Sequence, residues 1–480
     1  MKKLSVALIG LSLVSPFTFA DQVFDVGDVA KVSIFGFAKE EYAVGTNRSS
    51  GLTNCTYPTD PRGVFAGHPP GGGANPAQCQ PGQSGFGQTD GPGPFNLWQL
   101  GSDISHEFDN AWKISARASY RMRDGQADIP GPGYSGGYFG HIGVGPNYGW
   151  LDMNVAVTHP EYGEVRYGSF ATRSWSRSDS FSYPIGLSSQ WSETGSGYGA
   201  VQNAARYTSK TFEVGGGKLV LEGTFAAAQV HIAPNAAMNP NVDQTPPKPS
   251  LGELFAQYSN NGMLVEYIFQ TSTGGQQSSF AKGGFLGDYG NADNNPNYLI
   301  PAQNVNIIQG NYYFTPKWLL TFGGRRNFWS GSAAQCDYMN PLPGGSTGGC
   351  YAQYGGFNNN GVSAINSGTS AYSYDFMLGG SYIDGLYTYT LGGVRLNKAY
   401  TQNPVQYGQN NGATYLNLGI YRKVPEVYKN LSVYGGLGYV MFDRLGPAPL
   451  SMPSELSFGG VDPRSNRSGS SLTMGINIVL

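Results

Sequence analysis

The amino-acid sequence predicts an all-β chain, a transmembrane antiparallel β-barrel of sixteen strands with long external loops and short periplasmic turns. Three observations predict it. Charged residues make up only 12% of the 480, against 71 Gly, 32 Tyr and 25 Phe, whereas soluble domains carry roughly 25% charged residues. Beyond the first twenty residues there is no run of roughly 18 apolar residues, the length a helix needs to cross a bilayer. Short runs of alternating apolar and polar residues recur from Lys31 to Leu480, and the connections between them are long and very short by turns. In lipid every backbone N–H and C=O must find a partner within the protein, and once helices are excluded a closed barrel satisfies that demand.

Lys2 and Lys3, the apolar stretch Leu4 to Val14 and the small-residue ending Thr18-Phe19-Ala20 have the layout of a secretory signal peptide. Residues 1–20 are therefore expected to be removed, and residues 21–480 to form one barrel domain. Without Lys2 and Lys3 the 29 Lys and Arg fall to 27 against 31 Asp and Glu. A chain with no basic excess offers nothing to a nucleic acid.

The strands follow in order. Lys31 to Ala43 opens the series; Phe95 to Glu107 and Ala111 to Arg123 are separated by Phe108-Asp109-Asn110. The run ending at His159 and the run Glu161 to Phe170 turn at Pro160. Gln202 to Phe212 and Lys218 to Gln229 turn at Gly215-Gly216-Gly217. Gly252 to Ser259 meets the run starting at Met263 through Asn260-Asn261-Gly262, a hairpin signal because Asn and Gly tolerate positive φ. Ala302 to Phe314 and Lys317 to Trp329 turn at Thr315-Pro316; Ala371 to Tyr382 and Leu386 to Lys398 turn at Ile383-Asp384-Gly385. Gly412 to Lys423 and Leu431 to Asp443 turn across 425–430, and Ser470 to Leu480 closes the series. These lengths suit strands tilted about 45°, which need roughly 9 to 11 residues to span the hydrocarbon. An even count puts both termini on the periplasmic side. In the last run Leu472, Met474, Ile476, Ile478 and Leu480 share one face, with Thr473, Gly475 and Asn477 on the other. Trp98, Trp150, Tyr167, Trp318 and Trp329 lie where interfacial aromatic belts are expected.

The same rule orients the charges. Lys113, Ser115, Arg117, Ser119, Arg121 and Arg123 alternate with Ile114, Ala116, Ala118, Tyr120 and Met122. Lipid rejects Arg at roughly 2 to 4 kcal/mol near the midplane, so the basic set must face the lumen. Arg166 with Glu164, and Arg206 with Thr208, obey the same alternation.

Four cysteines lie in Gly, Pro and Asn-rich segments, where exported thiols usually pair. The local pairs Cys55 with Cys79 and Cys336 with Cys350 would each close one loop, although three connectivities are formally possible. No metal-ligand spacing, nucleophile elbow or phosphate-cradling loop is present. His68, His106, His141, His159 and His231 are scattered. The sequence thus implies no enzyme, no cofactor and no metal.

At Val32-Ser33-Ile34-Phe35-Gly36-Phe37-Ala38-Lys39 the chain resembles the first strand of the general porins of Neisseria and Burkholderia relatives. Further likenesses fall at Leu100-Gly101-Ser102-Asp103, Tyr162-Gly163-Glu164-Val165-Arg166-Tyr167-Gly168 and Ala205-Arg206-Tyr207-Thr208-Ser209. The resemblance implies a homotrimer in outer-membrane lipid, each protomer with a water-filled pore for passive diffusion of small hydrophilic solutes and ions, narrowed by the third external loop folding inward. It places Lys39 with the lumenal basic wall.

By position the third loop is Ala171 to Val201, read as a segment without regular structure; loops this long are uncommon unless functional or disordered. Arg177, Asp179 and Glu193 are its candidate constriction residues. Asp179 and Glu193 opposite a strip of Lys39, Lys113, Arg117, Arg121, Arg123, Arg166 and Arg206 would set up a transverse field with a slight anion preference. The alternatives are a substrate-specific channel for sugars or organic anions, a surface adhesin or structural barrel, and a barrel enzyme.

Overall fold

The computed structural model describes residues 22–26, 29–46, 93–125, 148–192, 195–197, 199–227, 250–272, 303–329, 371–398, 400–401, 412–444, 449, 451, 461 and 467–480. Residues 1–20, Glu193 and all four cysteines lie outside them, as do most of the long connections.

The first strands are β1 (Gln22–Val26), β2 (Ala30–Gly45), β3 (Gly93–Glu107), β4 (Lys113–Gly125), β5 (Tyr148–His159), β6 (Gly163–Ala171), β7 (Ala200–Thr208), β8 (Phe212–Val214) and β9 (Gly217–Ala226). They continue with β10 (Leu251–Asn260), β11 (Met263–Ser272), β12 (Gln303–Thr315), β13 (Trp318–Trp329) and β14 (Ala371–Asp384). The last are β15 (Tyr387–Leu396), β16 (Tyr400–Thr401), β17 (Ala413–Lys423), β18 (Leu431–Phe442) and β19 (Ser468–Val479). They make sixteen antiparallel staves. β7 and β8 both pair with β9 and share a stave, as β15 and β16 do along β14. Closure is direct, with β19 paired to β2 from Ser471↔Gly45 to Val479↔Phe37. β1, which the alternation pattern does not reveal, continues the edge that β19 leaves, pairing Gln22↔Ile34 to Val26↔Ala30.

The short turns fall where turn chemistry puts them. Asn261 (φ 44°) and Gly262 (φ 86°) form the two-residue link between β10 and β11, a conformation that needs positive φ at both positions. Outward positions carry the apolar stripe, including Leu100, Ile104, Ile114, Met153, Val155, Leu254, Ile308, Leu378, Leu391, Leu418 and Met474, all exposed. Among the belt aromatics, Trp98, Tyr167 and Trp318 are exposed on this face; the side chains of Trp150 and Trp329 lie outside the description.

Two expectations change. The stretch after β6 is not irregular: it forms α1 (Arg173–Ser182), a 3-10 turn (Tyr183–Ile185) and α2 (Ser188–Trp191). Thr172 caps α1, its Oγ1 accepting from the Trp175 N–H at 3.3 Å. Nor is the inner face polar throughout. On β10 to β18 the inward residues Phe255, Ile268, Val305, Ile307, Met377, Val394, Tyr415 and Val440 are buried against Phe181, Ile185, Leu187 and Trp191 of the helical segment. A strand buried on both faces loses its polar alternation, which is why this half of the barrel reads less clearly in sequence. Ser192 lies beyond α2 and is buried too.

Candidate pore constriction

The segment 173–192 lies inside the bore and is fixed to one side of it. Its four largest apolar side chains are fully buried, each worth roughly 1.5–3 kcal/mol. Wall glycines make room for them: a Cβ on Gly323 would fall 2.7 Å from Trp191 Cζ2, and one on Gly379 2.6 Å from Ile185 Cδ1.

Charge fixes the other end of the segment. Arg173 donates to both carboxylate oxygens of Glu222 on β9, at 2.5 and 2.6 Å. Glu253 on β10 accepts from the backbone N–H groups of Arg173 (2.8 Å) and Ser174 (3.1 Å), meeting the unsatisfied donors at the start of α1. Arg177 donates to Glu266 on β11 through Nε at 2.7 Å, and Glu266 also accepts from Gln257 and Gln309. Gln309 Oε1 takes Ser178 Oγ and Trp191 Nε1, each at 3.2 Å. Further on, Arg325 reaches the Trp191 carbonyl at 2.7 Å while paired with Asp375, and Asn417 Nδ2 donates to the Ile185 carbonyl at 3.0 Å.

The opposite side, β2 to β6, carries a partly exposed charged wall. Lys39 pairs with Glu41 (2.7 Å), Arg117 with Asp103 (2.5 Å) and Arg166 with Glu164 (2.9 Å), with side chains 20–33% exposed. Asp152 accepts from Ser119 Oγ at 2.7 Å, and Arg166 Nη1 reaches Asn154 at 2.5 Å. Arg121 crosses toward the loop, its guanidinium 5.0 Å from the Trp175 ring and 6.0 Å from that of Phe37. Beside them stand three tyrosines: Tyr183 of the loop is 6.1 Å from Tyr421, which stacks on Tyr434 at 5.4 Å. Tyr434 donates to Glu41 at 2.8 Å, with Lys39 Nζ 5.6 Å from its ring centre.

The residues expected to matter are thus brought together in two groups rather than one. Lys39, Arg117, Arg121 and Arg166 line the wall facing the loop. Lys113 is exposed at the turn end of β4, and Arg123 lies near the far end of the same strand, its side chain outside the described residues. Arg206 belongs with the loop anchors: it is buried, donating to Thr224 (2.9 Å) and to the Ala171 carbonyl (3.1 Å), with Glu253 at 3.5 Å. Arg177 is an anchor as well. Asp179 accepts from Ser192 Oγ at 3.2 Å, inside the loop.

Sequence reading missed Arg173, Glu222, Glu253, Glu266, Arg325 and Asp375. The four wall acids and Arg325 carried a usable signal, the lipid-exclusion rule already applied to β4. Glu266, for example, sits between Val265 and Tyr267, and a carboxylate there must turn inward.

No protein-family sequence model matches the chain, and no curated protein sequence matches it. Solved structures do. The anion-selective porin from Comamonas acidovorans is similar at a TM-score of 0.50 and 11% identity, covering 94% of this chain and 100% of that one. OmpT, an outer membrane protein of Vibrio cholerae, gives 0.51 and 10%, covering 96% and 100%. Salmonella typhi OmpF, in complex with daunomycin, gives 0.52 and 11%, covering 95% and 100%. Likeness at such identities is likeness of fold, and this chain has the fold of the sixteen-stranded outer-membrane porins.

Proposed function

We propose that this chain is an outer-membrane channel through which small hydrophilic solutes and ions diffuse passively, with a slight anion preference. The observation that carries the reading is a closed barrel narrowed from one side: the loop is bound to β9–β18, while the ion pairs of β2–β6 keep part of their surface open to the bore. Charged walls of this kind select ions electrostatically. Glu41, Asp103 and Glu164 offset Lys39, Arg117 and Arg166, so the preference rests on Arg121, with Lys113 and Arg123 at the two ends of β4. The pore needs no cofactor and performs no catalysis. Export with loss of residues 1–20, homotrimer assembly and the disulfides Cys55–Cys79 and Cys336–Cys350 belong to the same proposal and rest on the sequence.

Planar-bilayer recording of the purified protein tests it. Stepwise ohmic current, with a reversal potential displaced modestly toward anions under a salt gradient, is the expected result; absence of current steps refutes the reading. One observation favours a second reading, a channel for sugars or organic anions: the Tyr183, Tyr421 and Tyr434 stack beside Lys39. Saturable current block by one solute class would establish that alternative.

A further inference from the structure

On the lipid-facing side, charge is expected only near the membrane surfaces, and each exception asks for a partner. Arg326 is such an exception. Its neighbours Arg325 and Asn327 are buried inward, while Arg326 is exposed on the outer face of β13, directly opposite Tyr374 of β14 and Asn306 of β12. Its guanidinium carbon lies 5.7 Å from the Phe328 ring centre and 5.9 Å from that of Tyr372. Tyr372 stacks on Tyr400 at 5.2 Å, and Lys398 Nζ stands 5.5 Å from the Tyr400 ring. Two exposed cations therefore flank one pair of stacked tyrosines.

Depth and pairing both bear on what this cluster meets. Trp318, opposite Tyr382, marks the turn-end aromatic belt. Arg326 lies eight residues further along β13, roughly 26 Å of strand and, at 45° tilt, roughly 19 Å across the membrane. That is the level of the second belt, at the end carrying the long loops, where a long cationic side chain reaches the headgroups. The nearby outward Arg395 is occupied by Asp443, at 2.6 and 2.8 Å. Among the described residues neither Arg326 nor Lys398 has a carboxylate within 4 Å.

We propose that Arg326 and Lys398, with Tyr372 and Tyr400 between them, bind the phosphate groups of an anionic glycolipid in the outer leaflet. Two cations held by aromatic rings at headgroup level suit phosphate, which takes charge-assisted hydrogen bonds from Arg and point-charge attraction from Lys. The site rests on the outer-membrane reading above, since it needs that end of the barrel to face such a leaflet.

The test uses the full-length folded protein in detergent, titrated with bisphosphorylated lipid A and with the same lipid dephosphorylated, followed by native mass spectrometry. The expected result is phosphate-dependent binding that weakens about tenfold in the Arg326→Gln/Lys398→Gln double variant, the loss of one charge-assisted contact. The exchanged pair Arg326→Lys/Lys398→Arg should keep it. Equal binding of both lipids, or no change in the Gln variant, overturns the site, as does binding abolished equally by the charge-preserving pair. Conductance is recorded on the same preparations. Channels that conduct but ignore the phosphates refute this inference alone, whereas absence of conductance removes the channel reading beneath it.

Discussion

Glu266→Gln is the sharpest perturbation of the constriction. Glu266 is fully buried and holds Arg177, itself 17% exposed, while also accepting from Gln257 and Gln309. Glutamine keeps the shape but removes the charge, leaving a guanidinium in the bore wall with no counter-ion at that position. Removing one partner of a buried pair costs about 3–5 kcal/mol. Four buried apolar side chains, at roughly 1.5–3 kcal/mol each, still hold the segment, as do Glu222 and Glu253. The loop should therefore stay docked on average, while transient undocking of α1 rises by about two to three orders of magnitude, at 1.4 kcal/mol per tenfold. Single-channel recording should show added open-channel noise and brief excursions to higher conductance. Arg177→Gln should give a similar trace, and combining the two should add little, because the second change removes a group already unpaired. A quiet trace identical to wild type in both single variants would refute the latch.

Other outcomes follow from the same geometry. Arg117→Gln leaves Asp103 uncompensated in the bore, so the reversal potential should move toward cations and return when Asp103→Asn is added. Gly323→Ala drives a methyl against Trp191 at 2.7 Å and should lower stability by about 1–3 kcal/mol, read as an earlier heat-induced shift in gel mobility with altered tryptophan fluorescence. At the rim, hydrogen bonds from Arg395 hold the Asp443 carboxyl below the usual carboxylate range. A depressed carboxylate stabilises above its unfolded pKa of about 3.9 and ceases to as pH falls through its folded value. The stability gap between wild type and Asp443→Asn should hold at neutral pH and close in acid; a gap that widened on acidification would reverse that sign.

The barrel was legible because membrane chemistry acts on single residues. Lipid excludes Arg117 and Arg121 from the outer face whatever the rest of the chain does, so alternation on β4 gave their orientation directly. The turn at Asn261-Gly262 was equally local, a matter of which residues accept positive φ. Signals weakened where a position answered to something distant in sequence. Phe255 and Ile268 look outward-facing in their strings, yet point inward because Phe181 and Trp191 cover them. Arg177 reads as a pore charge until Glu266, 89 residues away, takes it.

Composition and period alone settled that this chain is a membrane barrel, which strands it contains and which side of each strand meets lipid, since solvent preference and a repeat of two need no partner. Only the folded structure decided that the third connection is helical, which wall it binds, and which arginines anchor it and which stay open to the bore. Those outcomes depend on pairings between strands far apart in the chain, and a charge's role is set by the partner that closure brings to it.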